Sequence, residues 1–323
     1  MSRFVIVGAG AVGGVMAASL FQHSQRVLLV ARGAHYEAIV KDGLRFDRPQ
    51  SSEYLDVPVT DDISSIEWSS DDVIIVAVKS QHSSDLLMEL SSIVPRSTPV
   101  LCAQNGVANE GMALRWFSIV YGAEISCATS YLVPGVVVAH GSPTIGAVVF
   151  GRYPRGVDDT VRELAAAFGG AEWISKSSEK IMDWKYAKLL RNMSNAVSAI
   201  CGPSVRGGEI ATRTRQEAEL VLKTAGIIWI DDDEWRIEGE REGMARFQPV
   251  GDITVAGGSS WQSLLRGVGS VETDYLNGEI VLLGRIHGVP TPVNEVLCEL
   301  ANKMARENLS PGAFTETDVL SHL

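Results

Sequence analysis

The chain has 323 residues, 46% hydrophobic and 21% charged, a globular composition with more material than one ordinary core takes up. Its formal net charge of −11 argues against nucleic acid or an anionic membrane as partner, and no Lys/Arg-rich run offsets it. No apolar run reaches the roughly 18–20 residues of a membrane span, and no charged leader with a cleavage site opens the chain, so a cytoplasmic protein is expected.

The first element is a short apolar strand, Phe4–Val7, running into Gly8-Ala9-Gly10-Ala11-Val12-Gly13 and then a helix through Val15–Leu20. This is G-x-G-x-x-G between a strand and a helix. Gly8 allows a tight turn, Gly10 lets backbone approach a pyrophosphate, and Gly13 permits close helix–strand packing. The helix N-terminus offers free N–H groups and a positive dipole end to the phosphates. A second strand, Val27–Val30, ends in Ala31-Arg32-Gly33, where NAD sites place a carboxylate for the ribose 2′-hydroxyl. An arginine there suits a 2′-phosphate and favours NADP; a solvated strand-end arginine is the alternative.

Further strands are predicted at Val73–Val78 and Pro99–Leu101, then at Ser126–Val133, Val136–His140 and Thr144–Phe150. A helix follows over Val161–Phe168 and a last strand over Ala171–Ile174. Near-continuous apolar strands separated by helices indicate a parallel sheet buried on both faces, and the later Gly- and Pro-punctuated strands indicate antiparallel extensions. From about Ser177 helical periodicity takes over, at Ile181–Ile200, Gln216–Ile228, Ser259–Arg266, Thr273–His287 and Val293–Glu307. The last helix has Thr291 as cap and Pro292 in its first turn. Asp231–Glu242 reads as a charged, solvated helix or loop. The expected architecture is α/β: a Rossmann-type dinucleotide-binding domain, residues 1–176, and an all-α domain, residues 177–323, with a cleft between them. Four cysteines without C-x-x-C spacing and six dispersed histidines indicate reduced thiols and no metal site.

Polar residues on apolar helices are the next signal. Lys188, Asn192 and Asn195 fall at i, i+4 and i+7, which puts an amine and two amides on one helical face, with Lys185 bordering it. An exposed polar stripe would show the same spacing. Glu272 opens a helix, where its carboxylate also suits the dipole. Asn277-Gly278 is locally poor inside a helix and points to a close contact. Ser260 near a helix start reads equally well as an N-cap.

Taken in order, Gly8-x-Gly10-x-x-Gly13, Val76-Ala77-Val78-Lys79, Gln104-Asn105-Gly106-Val107, Lys188-Leu189-x-x-Asn192, Ser259-Ser260, Glu272-x-Asp274-Tyr275-x-Asn277-Gly278 and His287-Gly288-Val289-Pro290-Thr291-Pro292-x-Asn294 resemble the 2-dehydropantoate 2-reductases, or ketopantoate reductases. The resemblance spans residues 4–294. It implies NADPH-dependent reduction of a 2-oxo acid, 2-dehydropantoate in pantothenate biosynthesis, and a helical domain like the C-terminal one of 6-phosphogluconate dehydrogenase. It further implies that Gly8, Ala9, Gly10, Ala11, Val12 and Gly13 hold the pyrophosphate, Arg32 the 2′-phosphate, and Lys79 the adenosine-ribose side. Asn105 would lie by nicotinamide and substrate, Lys188 would be the general acid, Asn192, Asn195 and Ser260 would bind substrate, and Glu272 would act in catalysis and contact the cofactor.

Two departures stand out. The family spacing is Lys-x3-Asn-x3-Asn, whereas Asn192 and Asn195 are three apart, and Gly207 precedes Gly208-Glu209-Ile210 where the family often has Asn. They keep open a related reductase of another branched 2-oxo acid. A non-catalytic NADP-binding sensor is a further alternative, and one that would need only the glycine loop and Arg32. The implied partner is a small 2-oxo acid; a homodimer is neither required nor excluded by the sequence.

Overall fold

The computed structural model describes residues 2–205, 207–237, 246–251, 258–267 and 269–323. The chain divides into two compact units. One comprises Met1–Gln104, Asn109–Trp184 and the described part of Asp231–Val255; the other comprises Asn105–Ala108, Lys185–Ile230 and the described part of Ala256–Leu323. The expected boundary between residues 176 and 177 lies inside the strand Trp173–Ser177, whereas the division into units falls between Trp184 and Lys185.

The first unit opens with β1 (Arg3–Val7), α1 (Ala11–Gln22), β2 (Arg26–Val30), α2 (Gly33–Asp42), β3 (Leu44–Arg48), β4 (Ser51–Leu55), β5 (Val59–Thr60), β6 (Asp72–Val76), α3 (Ser83–Ile93), β7 (Val100–Cys102) and α4 (Asn109–Ala113). It continues with β8 (Val120–Cys127), β9 (Thr129–Ser130), β10 (Val136–Ala139), β11 (Gly141–Ser142), β12 (Gly146–Arg152), α5 (Asp159–Gly170) and β13 (Trp173–Ser177). The main sheet has the order β13-β12-β8-β7-β6-β1-β2-β5, and β5-β2-β1-β6-β7-β8 all run parallel. That is the doubly wound arrangement, in which strand order reverses between β1 and β6. Val5 pairs with Leu28 on one side and Ile74 on the other, so β1 is covered along both edges as well as both faces. Two apolar clusters, one on each face, close it off: Met16, Leu29, Phe46 and Phe150 belong to one, and Val7, Ile74, Leu87 and Phe117 to the other.

As the punctuation predicts, β12 runs antiparallel to β8. Several boundaries differ. The strand expected at Ser126–Val133 begins six residues earlier, at Val120, and breaks at Ala128 into β8 and β9. Between α2 and β6, where the sequence carries no clear strand signal, β3 and β4 form a hairpin whose β3 pairs in parallel with β10 in a second, four-stranded sheet. Strand β4, Ser-Ser-Glu-Tyr-Leu, is largely exposed and carries little apolar signal.

The second unit holds α6 (Ile181–Asn192) from Lys185 onward, α7 (Ser194–Cys201) and α8 (Glu209–Thr224). After α9 (Asp232–Ile237) and β14 (Arg246–Phe247), which belong to the first unit, come α10 (Ser259–Leu265), α11 (Asn277–His287), α12 (Pro292–Arg306) and α13 (Glu316–Leu320). Two expected helices are divided. Ile181–Ile200 breaks at Met193 into α6 and α7, and Thr273–His287 is a 3-10 turn, Thr273–Tyr275, followed by α11. The helix expected at Gln216–Ile228 lies earlier, as α8, because Glu316 Oε1 accepts from the Ile210 N–H and so supplies a cap from far along the chain. Of the charged stretch Asp231–Glu242, residues 232–237 form α9 and 238–242 lie outside the described residues. The core of the second unit is built from Val197, Ile200, Ile210, Leu297, Ala301 and Met304. Among the described residues no helix is long and apolar enough to cross a membrane.

Candidate active site

The glycine loop lies where strand order reverses. Gly8 has φ +112°, a conformation that a side chain would strain, and a Cβ there would sit 2.8 Å from Ala77 C and Val78 N at the end of β6. A Cβ on Gly13 would run into the Gly8 carbonyl oxygen, so α1 packs directly on the turn. A Cβ on Gly10 would meet nothing within 4 Å. Gly10 caps α1 without a side chain, and no acid occupies the first turn of Ala11, Val12 and Gly13. The leading N–H groups and the dipole are therefore left for an anion.

Beside this loop is a cavity of about 490 Å³ walled by Gly8, Ala9, Gly10, Arg32, His35 and Val78, among others. Asp85, Leu86 and Glu89 of α3 also line it. Arg32, at the head of α2, is mostly exposed, and its guanidinium is 3.9 Å from Glu89 Oε2. Lys79 follows Val78 and heads the 3-10 turn Ser80–His82. These dimensions and donors fit a dinucleotide with a 2′-phosphate.

His35 was not singled out by the sequence. It is 5% exposed and packs against Tyr131 with ring centroids 4.5 Å apart. Its Nδ1 accepts from the Gly135 N–H at 2.8 Å, which fixes the neutral ring with hydrogen on Nε2. Burial pushes its pKa down, and the backbone of Ala9 only partly offsets this. Nε2 makes no hydrogen bond of good geometry among the described residues and has the Ala9 backbone as its polar neighbour, so the cavity wall presents a neutral ring beside the glycine loop. No local spacing marks His35; its role depends on Gly135, 100 residues away.

In the helical unit, Lys188 and Asn192 share a face of α6. The stripe is not a solvated one: Asn192 is 7% and Lys185 3% exposed, and Lys188 is half-buried. Asn195 lies beyond the break at Met193, on α7, and donates from Nδ2 to Ser259 Oγ at 3.5 Å. The expected continuous stripe through i+7 is thus interrupted. Ser260 does not cap α10, since Gly258 holds that position; the residue is 2% exposed, and its Oγ has no hydrogen-bond partner among the described residues. Asn192 Nδ2 is likewise buried without a partner. Two unspent donors in a packed interior fit an acceptor that arrives with a ligand. Glu272 precedes the 3-10 turn rather than opening α11, and its side chain caps nothing there. Asn105 packs with this unit, where a Cβ on Gly106 (φ +81°) would lie 2.8 Å from the Tyr275 carbonyl oxygen.

The sequence also missed a buried polar chain behind these residues. Asn277 donates from Nδ2 to Asn294 Oδ1 at 3.0 Å and to the Met193 carbonyl at 3.3 Å. Asn294 Nδ2 reaches Glu217 Oε2 at 2.8 Å, and the Glu217 carboxylate accepts the Val293 and Asn294 N–H groups, each at 3.0 Å. Glu217, not the expected Thr291 side chain, therefore caps α12. The pattern Asn277 with Asn294 was visible only as an awkward Asn-Gly in a helix.

A chain that holds both a glycine-turned, doubly wound sheet with a cavity at its reversal point and a helical unit with a Lys-x3-Asn face has the parts of a dinucleotide-dependent oxidoreductase. The pattern described as Ketopantoate reductase PanE/ApbA matches residues 4–155, and its C-terminal counterpart matches residues 180–305. The chain belongs to the ketopantoate reductase family. It is accordingly an NADP-dependent oxidoreductase of CH–OH groups that reduces a 2-oxo acid. It is 27% identical to a 2-dehydropantoate 2-reductase of Pyrococcus horikoshii over 96% of this chain and 99% of that protein. A 2-dehydropantoate 2-reductase of Lactococcus lactis is 24% identical over 93% and 97%. Among solved structures, a PanE/ApbA family ketopantoate reductase from Ralstonia eutropha superposes with a TM-score of 0.78 at 27% identity, covering 95% of this chain and 99% of that one. The fold is also shared with a D-mandelate dehydrogenase (TM-score 0.77, 23% identity, 95% and 99% covered).

Proposed function

We propose that the chain reduces 2-dehydropantoate to pantoate with NADPH, residues 1–176 binding the cofactor and residues 177–323 carrying substrate and catalysis. The observation that carries this reading is the pair of buried, unpartnered donors, Asn192 Nδ2 and Ser260 Oγ, in a unit whose relatives are named for that substrate. A 2-oxo acid brings a carboxylate, and both donors suit it.

When bound, the reduced nicotinamide supplies the hydride to the carbonyl carbon. Negative charge then builds on the ketone oxygen, and Lys188 Nζ gives it a proton and offsets the charge as it forms. Asn192 and Ser260 hold the carboxylate so that the carbonyl cannot turn away; such positioning supplies up to about 7–11 kcal/mol of the barrier reduction in the best cases. Asn105 lies at the nicotinamide and substrate, Glu272 contacts cofactor and substrate, and Asn195, tied to Ser259, supports the Ser260 segment. Gly8, Ala9, Gly10, Ala11, Val12 and Gly13 cradle the pyrophosphate, with Lys79 on the adenosine-ribose side and Arg32 on the 2′-phosphate.

The test is NADPH oxidation followed at 2-dehydropantoate and across a panel of branched 2-oxo acids. Highest kcat/KM with 2-dehydropantoate is the expected result. A tenfold preference for another acid would move the chain to a related reductase, and no turnover with any would reject the enzyme reading.

A further inference from the structure

The cofactor cavity carries opposite charges at the end where a 2′-phosphate would sit. Arg32 lines it at the head of α2, and Asp85 and Glu89 line it from α3. Asp62 also feels Arg32, but its carboxylate is committed to the Ser64 N–H at 2.8 Å and hydroxyl at 2.7 Å. Asp85 lies in the first turn of α3, where the dipole favours it. Glu89 lies in neither setting. Four residues along the same helical face, its carboxylate is 3.9 Å from the Arg32 guanidinium, too far for a hydrogen bond and close enough for an ion pair.

We propose that Glu89 is a specificity-determining residue that restrains the preference for NADPH over NADH. The inference rests on the assignment of the 2′-phosphate to Arg32. A phosphate reaching the guanidinium enters the field of the Glu89 carboxylate, which competes for the same cation and repels the dianion. A ribose 2′-hydroxyl meets no such penalty, because a carboxylate is a good acceptor for it. The site thereby holds both means of recognition at once, a cation for the phosphate and an acid for the hydroxyl.

The experiment is a fluorescence titration of NADPH and NADH against the intact protein, its Glu89→Gln variant and its Arg32→Ala variant. Glu89→Gln keeps the shape and removes the charge, and both side chains are exposed enough that folding should not suffer. NADPH should bind the Glu89→Gln variant about three- to tenfold more tightly, the scale of one exposed charge at this distance, with NADH changed less than twofold or weakened. An unchanged NADPH-to-NADH ratio in Glu89→Gln, with Arg32→Ala losing the NADPH preference, overturns the role of Glu89 and leaves Arg32 in place. An unchanged ratio in Arg32→Ala overturns the assignment of the phosphate to Arg32, and with it the ion-pair competition.

Discussion

Asn277 and Asn294, on α11 and α12, form a buried amide-to-amide hydrogen bond of 3.0 Å, and the second bond of Asn277 holds the carbonyl of Met193 at the junction of α6 and α7. Residue 192, the next one back along the chain, is one of the two unspent donors. The pair therefore sets where α6 ends. Asn277→Ala should destabilise the protein by about 1–3 kcal/mol, the cost of stranding its partners. Urea denaturation would measure this, and Asn277→Ala combined with Asn294→Ala should cost less than the sum of the two, because they share one network. Additive losses would mean that the chain of bonds does not act as a unit.

Ser260 and Asn192 should behave in the opposite way. Their donors have no partner among the described residues, so Ser260→Ala removes a buried group that already lacks one and should leave the thermal midpoint unchanged or raised. Its kcat/KM should nonetheless fall about ten- to hundredfold, the worth of a hydrogen bond to a charged group. Asn192→Asp, equal in shape, should fall further, because a carboxylate would face a carboxylate. A Ser260→Ala variant that loses stability and keeps full turnover would show that Ser260 serves packing alone.

Lys188 and Lys185 lie one turn apart on α6 and should separate cleanly. Lys188→Ala should lower kcat by roughly 10²–10⁴-fold, the usual contribution of a positioned proton donor, while NADPH still binds. Lys185 is 3% exposed, so Lys185→Ala should be felt first in stability. Steady-state rates and a cofactor titration on both variants decide this. A nearly active Lys188→Ala beside a dead Lys185→Ala would place the proton donor one turn earlier.

Acid sensitivity should trace to Asp72. Burial alone would raise its pKa, but the fork of Arg3, with Nε and Nη2 each 2.7 Å from a carboxylate oxygen, and the Ser69 N–H at 2.7 Å outweigh it and hold the carboxyl below its ordinary value. A depressed folded-state pKa stabilises the protein above the unfolded value of about 4 and loses that contribution as pH falls through the folded value. Asp72→Asn should cost about 2–3 kcal/mol at pH 7, since Arg3 is left partly buried without its partner. The variant should also lose less stability than the parent between pH 5 and pH 3 in urea denaturation. An identical acid profile in both would assign the sensitivity elsewhere.

What the sequence made legible follows from where each interaction closes. The strand β1, the turn at Gly8 and the helix α1 are determined by residues within 20 positions, and the apolar run Val73–Val78 can hardly be anything but an interior strand. The face shared by Lys188 and Asn192 is equally local. Strand β4 was not legible, because its exposed polar residues are held by pairing with Phe46 and its neighbours rather than by burial. The break at Met193 depends on Asn277, and the cap of α12 on Glu217, 76 positions from Val293. His35 lines the cavity with its ring held by a backbone N–H 100 residues away. Long-range polar bonds leave no period in the chain, and the site is rich in them.

The steric surroundings of the three loop glycines divide the motif in a way that bears on its ancestry. Gly8 is forbidden a side chain by the backbone of Ala77 and Val78, and Gly13 by the carbonyl of Gly8 and the side chain of Ala77. Gly10 is forbidden nothing by the protein itself. A descendant that gave up its cofactor would still need Gly8 and Gly13 to fold, while Gly10 would be free to drift. Across duplicated genes of this architecture, the middle glycine is the position at which loss of nucleotide binding should first be written.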